Sequence, residues 1–371
     1  MLLSACSKSS SPDRSKPGTQ RGAVLIMALL IVSVVAGLAV KFTADYQLGL
    51  AKAESRWLGA QTRNHLLAAE SITKFVLAED QDPAVDYYEE GWGVTQDIQL
   101  DGVWVTVAIT DAQSYIDLNS LGEGVDQDKA ISDPSRYSVA QRRFIRLLQT
   151  FEEQLPLNPS EAAAVLEAIV DWMDSDNTPS GFGGAEADYY VGLETEYQPA
   201  NQAFSSVDEL RLVRHVSEDL MQLIRPYLVV MPTQGQGQQG QQMNVNTMPR
   251  RLLRTINGAN DLTPLDQAQV EMLLQDKAQQ GFYQNVDTFR GSQGWQSLGV
   301  TPETSNLGVT TSHFMLEAEA TINEQRRAMR SILRRNNDKV EMIQRKDIYE
   351  ITRFPQTAAP ANSQSATTQP N

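Results

Sequence analysis

Within this chain of 371 residues, coordination chemistry is concentrated in one stretch: Asp171-Trp172-Met173-Asp174-Ser175-Asp176-Asn177-Thr178-Pro179-Ser180-Gly181-Phe182-Gly183-Gly184-Ala185-Glu186-Ala187-Asp188. Carboxylates crowded into a Gly-rich loop repel one another unless a cation neutralises them. Hard oxygen donors with no His or Cys nearby suit Ca²⁺ better than zinc or copper. The spacing is not that of an EF-hand. Counted from Asp174, position five is Thr178, the next is Pro179 where a glycine is needed, and the closing acid, Glu186, comes one place late. A helix end followed by a solvated acidic loop would read the same way, and the residues alone leave both readings open.

Catalytic chemistry has weaker support. His65, His215 and His313 fall in a long helix, at a helix end and at a strand start, and no G-x-S-x-G, H-E-x-x-H or phosphate loop accompanies them. Carboxylate pairs imitate a glycosidase site, but in so acidic a chain their abundance has little specificity, so the expectation is a protein that is not an enzyme. The formal net charge is −15 even though the leader through Gly22 is basic, with Lys8, Arg14, Lys16 and Arg21 against Asp13. Such a surface repels nucleic acid, and Arg250, Arg251 and Arg254 read as a solvated face or a protein contact. The single cysteine, Cys6, lies in the leader, so the rest of the chain has no disulfide and needs other staples.

The elements that must position the loop begin at Arg21-Gly22-Ala23-Val24-Leu25-Ile26-Met27 and the apolar run that continues to Val40. About 18 uncharged residues approach the length that crosses a bilayer. Leu3-Ser4-Ala5-Cys6 spells a lipobox, but Met1 leaves no room for a signal before it. A cleaved secretory signal would need a small-x-small site, and the run ends instead in Lys41-Phe42-Thr43. Basic residues before the span keep that side in the cytoplasm and send the remainder outward. From Lys41 to about Glu79 there is no proline, and apolar residues such as Leu50, Leu58, Leu66 and Phe75 recur at helical steps. One helix over residues 23–79 would be on the order of 85 Å long, with Gly37 and Gly49 as possible kinks. Beyond Pro83 the period becomes two: a strand at Val94–Leu100, the turn Asp101-Gly102, alternation through Val103, Val105, Val107 and Ile109, and a further strand at Tyr115–Asn119.

A basic leader ending in glycine, an immediate apolar span, a continuing helix and then a small antiparallel sheet resemble the type IV pilins and pseudopilins. Asp111-Ala112-Gln113-Ser114-Tyr115-Ile116-Asp117-Leu118-Asn119, Asp171-Trp172-Met173-Asp174-Ser175-Asp176, Asp208-Glu209-Leu210 and Asn244-Val245-Asn246-Thr247 narrow the resemblance to the K-type minor pseudopilins of the type II secretion system, the GspK family. The resemblance implies cleavage by prepilin peptidase after Gly22, leaving Ala23 as an N-methylated amine. Major pseudopilins place a glutamate at the fifth mature position to neutralise a neighbour's amine. Here that position is Met27, so this subunit is poorly suited to sit beneath another and belongs at a fibre tip.

The family also implies calcium in the acidic loop. With no disulfide to pin that loop, this selects Asp174, Asp176, Glu186 and Asp188 as ligands, with Asp171, Asn177, Glu194 and Asn201 as second choices. The expected fold is α+β, a pilin-like N-terminal helix packed on an antiparallel sheet with a large helical domain inserted between strands. Helical periodicity at Phe144–Phe151, the Asn158-Pro159-Ser160-Glu161 cap, a helix starting at Val207–Val213 and another from Asp266 to about Gln279 mark the insertion. Alternation at Phe314–Ile322, Arg326–Arg335 and Lys339–Gln344 predicts a three-stranded meander that completes the sheet. The expected segments are a leader at 1–22, a membrane span at 23–40, helix and first strands at 41–135, the insertion at 136–305 with a flexible Gln/Gly connector at 232–242, closing strands at 306–353 and a disordered tail at 354–371.

Function follows from the resemblance. The chain is expected in the inner membrane, single-pass, with a cytoplasmic N-terminus and a periplasmic domain. Its expected partners are I- and J-type minor pseudopilins, the major pseudopilin fibre, prepilin peptidase and the inner-membrane secretion platform. There it would initiate a fibre that supports export of folded proteins. The rival reading is a single-span envelope scaffold or binding protein with an ordinary signal anchor; an acidic secreted hydrolase is a remote third.

Overall fold

The computed structural model describes residues 20–80, 82–232, 242–323, 325–337, 339–349 and 351, without the side chains of Gln20 and Arg21. Leader residues 1–19 with Cys6, nearly all of the Gln/Gly connector and the tail lie outside the described residues. The chain divides into two compact units, residues 1–61 and 62–371.

Helix α1, Gln20–Ala78, fills the described part of the first unit and continues into the second, running through Gly37 and Gly49 without a break. Its most apolar window has a mean hydropathy of 3.0 and no buried residue, long and apolar enough to cross a membrane. The polar side chains there are satisfied within the helix. Ser33 Oγ donates to the Leu30 carbonyl and, just past the run, Thr43 Oγ1 to that of Ala39, an arrangement that hydrocarbon surroundings would require.

In the second unit α1 becomes amphipathic, with Thr62, His65, Leu66, Ala69, Glu70, Thr73 and Leu77 buried along one face at three- and four-residue steps. That face lies on a five-stranded sheet ordered β1 (Gln96–Leu100), β2 (Val103–Asp111), β7 (His313–Ile322), β8 (Gln325–Asn336), β9 (Lys339–Ile348), with every neighbouring pair antiparallel. Leu66, Ala69 and Leu77 pack against Val105, Val107, Ile109, Phe314, Leu316, Ala318, Met329 and Leu333, the inward residues of the alternating strands.

Between β2 and β7 the chain leaves the sheet and returns, so that Asp111 pairs with Phe314 in register. In order, the excursion contains β3 (Ile116–Asp117), α2 (Val139–Gln149), α3 (Pro159–Met173), α4 (Ala187–Val191), α5 (Glu218–Ile224) and β4 (Leu228–Val229), then β5 (Met243–Asn244), α6 (Arg250–Leu253), α7 (Gln267–Gln280), α8 (Val286–Arg290), α9 (Gln293–Leu298) and β6 (Leu307–Gly308). Capping boxes start α2 at Ser138 and Gln141, α3 at Asn158 and Glu161, and α7 at Asp266 and Gln269. Phe144, Ile145, Leu147 and Leu148 of α2 and Leu166, Ile169 and Val170 of α3 belong to one continuous core.

Three expectations are corrected. Val207–Leu212 is a 3₁₀ turn, capped by Ser206, in place of an α-helix; so short a segment closes its bonds more readily at i+3. The expected strand at Tyr115–Asn119 shrinks to β3, paired in parallel with β4, because its polar side chains turn to other segments. The arginines near residue 250 only partly make a solvated face: Arg250 is exposed and pairs with Glu271, but the other two turn inward. Arg251 stacks over Phe151 at 4.2 Å and donates to the Thr150 carbonyl, Arg254 joins it there at 3.2 Å, and both serve the carbonyl end of α2.

Buried amides and carboxylates act as the staples of the chain. Asn119 accepts from the Phe204 amide at 2.8 Å and donates to the Phe204 and Met231 carbonyls, while Asp117 accepts from the Met231 amide. Gln113 accepts from the amides of Ser312 and His313, and Asn246 exchanges two hydrogen bonds with the Tyr283 backbone. Backbone groups that no sheet or helix satisfies are thereby paired across large sequence separations.

Candidate metal centre

Helix α3 carries three carboxylates at spacings of four and three: Glu167, Asp171 and, at its C-cap, Asp174. Such spacing places them along one helical face. The loop that follows is tied back to that face. The Ser180 amide donates to Asp171 Oδ1 at 3.0 Å, and the Gly183 amide donates to Glu167 Oε2 at 3.0 Å. Arg136, on the turn before α2, donates to Glu167 Oε1 and to the Ser180 carbonyl, both at 2.8 Å. Arg214 holds the other end through the Gly184 carbonyl at 2.8 Å.

The glycines are there for space. A Cβ on Gly184 would stand 2.3 Å from Asp171 Oδ2, and one on Gly183 would stand 2.3 Å from the Ala164 Cα. Any side chain at these positions would lift the loop off α3.

This folding brings Asp171, Asp174 and Glu186 together, with one carboxylate oxygen of each lying within 4.8 Å of the others. Asp171 Oδ2, Asp174 Oδ1 and both Glu186 oxygens are buried and have no hydrogen-bond partner in the structure. Burial, then the like charges of its neighbours, pushes Glu186 up to about 7; burial followed by Asp176 and Asp171 pushes Asp174 to about 6. Burial also raises Asp171, against the hydrogen bonds from Ser180. Three buried carboxylates this close together, with unpartnered oxygens, fit a hard divalent cation.

Of the four residues selected from sequence, Asp174 and Glu186 lie in this cluster. Asp176 is exposed and accepts from the Thr178 amide at 2.7 Å, and Asp188 is exposed in the first turn of α4. Asn177 and Glu194 are also exposed, while Asn201, in a left-handed conformation, donates its amide to the Trp172 carbonyl. Asp171, a second choice from sequence, stands in the cluster. Glu167 and Arg136, which hold the loop, were not singled out; the 167/171/174 face was a signal for the first, and nothing local marks the second.

Asp80, Asp86 and Glu90 form another acidic cluster. Arg335 bridges Asp80 and Asp86, Asp86 also accepts from the Thr311 amide, and Glu90 accepts from Trp92 Nε1 at 2.8 Å. Here the chain supplies its own cation.

A membrane-length helix continuing under an antiparallel sheet, with a helical domain inserted between two neighbouring strands, defines an enlarged pilin-like protein. Residues 114–233 match the family model described as type II secretion system (T2SS), protein K. The type II secretion system protein K of Aeromonas hydrophila is 29% identical over 342 residues, covering 88% of this chain and 96% of that one. That of Pectobacterium carotovorum subsp. carotovorum is 26% identical over 336 residues with the same coverage. Among solved structures, the fold is shared with a chain of the GspK-GspI-GspJ complex from enterotoxigenic Escherichia coli, at a TM-score of 0.60 and 18% identity, covering 81% of this chain and all of that one. Along most of its length the chain is similar to the K proteins of the type II secretion system, and it shares the fold of a chain from the solved complex.

Proposed function

We propose that the chain works by assembly, as the tip subunit of a periplasmic pseudopilus that it initiates with I- and J-type partners. The observation that carries this reading is the shared fold across the whole of a K chain whose structure was solved as a GspK-GspI-GspJ complex. Met27 supports the tip position. A subunit lying above this one would bring its terminal amine into the bilayer beside Met27, with no carboxylate to neutralise it. The apolar part of α1 then anchors the chain in the inner membrane, leader inward and residues from about 41 outward.

Asp171, Asp174 and Glu186 would hold Ca²⁺, with waters or backbone oxygens completing its shell. The ion supplies positive charge that lets three buried carboxylates remain ionised together, and its role is structural. Arg136, Arg214 and the glycines orient the ligands before it binds.

Mass analysis of the mature protein from a host with prepilin peptidase tests the reading. A chain beginning at methylated Ala23 that copurifies with I- and J-type subunits is expected. Intact residues 1–22, or a failure to copurify, would favour the rival signal-anchor scaffold.

A further inference from the structure

Among the described residues of the second unit, Phe182 is the most exposed large apolar side chain, at 101% of its reference area. Its position is imposed. The backbone on its C-terminal side is pressed against α3 at Gly183, whose amide is bonded to Glu167, and a Cβ on Gly181 would stand 2.4 Å from the Glu167 carboxylate. With both flanking residues held against the helix, the ring has only solvent to point into. Nearby in sequence, α4 exposes Tyr189 and Val191, and Arg214 joins the Gly184 carbonyl to the face of the Tyr189 ring at 4.7 Å. An aromatic side chain on a pinned loop loses little conformational freedom on binding, which is how anchor residues at interfaces gain affinity.

The surrounding charge selects the partner. Arg136 and Arg214 reach this loop but are engaged within it, by Glu167 and the Ser180 carbonyl and by the Gly184 carbonyl and Tyr189. Asp176 and Asp188 on either side of Phe182 are exposed, in a stretch between Arg146 and Arg211 with no lysine or arginine and thirteen aspartates or glutamates. Such a region repels a second copy of itself, an anionic lipid surface and nucleic acid. We infer that Phe182 is an anchor for another protein, one that offers an apolar pocket rimmed by lysine or arginine. This rests on the secretion reading for its setting, because the partner must be met outside the inner membrane.

The experiment uses the full chain in a secreting host deleted for the native copy. A benzophenone amino acid at position 182 is expected to yield a discrete crosslink to a different protein, at a peptide combining apolar residues with lysine or arginine. Phe182→Ala should lower export at least about tenfold while leaving the melting temperature and Ca²⁺ titration of the purified protein unchanged. The inference is overturned if the label crosslinks no more than one placed at exposed Tyr349, if it reaches only lipid or a second copy, or if Phe182→Ala exports as well as the parent chain. Failure of the full parent chain to restore export at all would instead strike the secretion reading itself.

Discussion

Arg345 of β9 grips the carboxylate of Glu70, midway along the buried face of α1, through two hydrogen bonds of 2.8 Å. Lys74 at 2.7 Å and Ser331 Oγ at 2.8 Å complete the shell. Burial alone would raise the carboxyl, but these partners outweigh it and lower it from 4.5 to about 2. With the folded value below the unfolded one, the contribution is present above pH 4.5 and is lost as pH falls toward 2. Glu70→Ala should therefore cost about 3 kcal/mol at neutral pH, shrinking through that acid window, as denaturant midpoints measured against pH would record.

At the acidic loop the sign is reversed. In the ion-free protein Glu186 and Asp174 are raised to about 7 and about 6, so stability present below about 4 is lost as pH rises through those values. Calcium bound as proposed would remove the loss and displace protons. Melting with EGTA should show a temperature that falls between pH 5 and pH 8, and melting with excess Ca²⁺ a much flatter profile.

Ligand substitutions sort the carboxylates. Asp171→Asn and Glu186→Gln are expected to weaken Ca²⁺ binding by about a hundredfold in calorimetric titration, whereas Asp188→Asn should stay within about threefold. Equal losses at all three would mean that the site extends to the surface acids.

Gly184→Ala separates loop geometry from charge. The new methyl must displace Asp171 Oδ2 or the loop itself, so Ca²⁺ affinity should drop with net charge unchanged. Ion-free stability should fall by about 1 to 3 kcal/mol.

Asn119→Ala tests the polar staples. It would leave the Phe204 amide and two carbonyls without partners, costing about 2 kcal/mol by chemical denaturation.

Much of this fold is written locally. The two-residue period at Val103–Ile109 and Phe314–Ile322 is set by one buried face, and the caps at Asn158 and Asp266 are short-range bonds, so both could be read from the chain. The acidic loop was legible as a crowd of carboxylates, and only partly as to which of them converge. Asp176 and Asp188 look equivalent to Asp174 in sequence, and what separates them is the helical face shared by Glu167, Asp171 and Asp174. The partners of Arg136, Asn119 and Arg335 lie tens to hundreds of residues away. No local pattern encodes such pairs, and they became visible only with the tertiary fold.

The register of Asp111 with Phe314 has a kinetic consequence. The excursion between them starts and ends at adjacent points, so once it has folded the two strands are already neighbours and the remaining loop closure costs little entropy. Closing the sheet first would mean joining the ends of a loop of some two hundred residues before any contact within it rewarded the closure. The inserted domain is therefore expected to fold ahead of the sheet that closes over it, and the refolding of a fragment confined to residues 112–312 would check this.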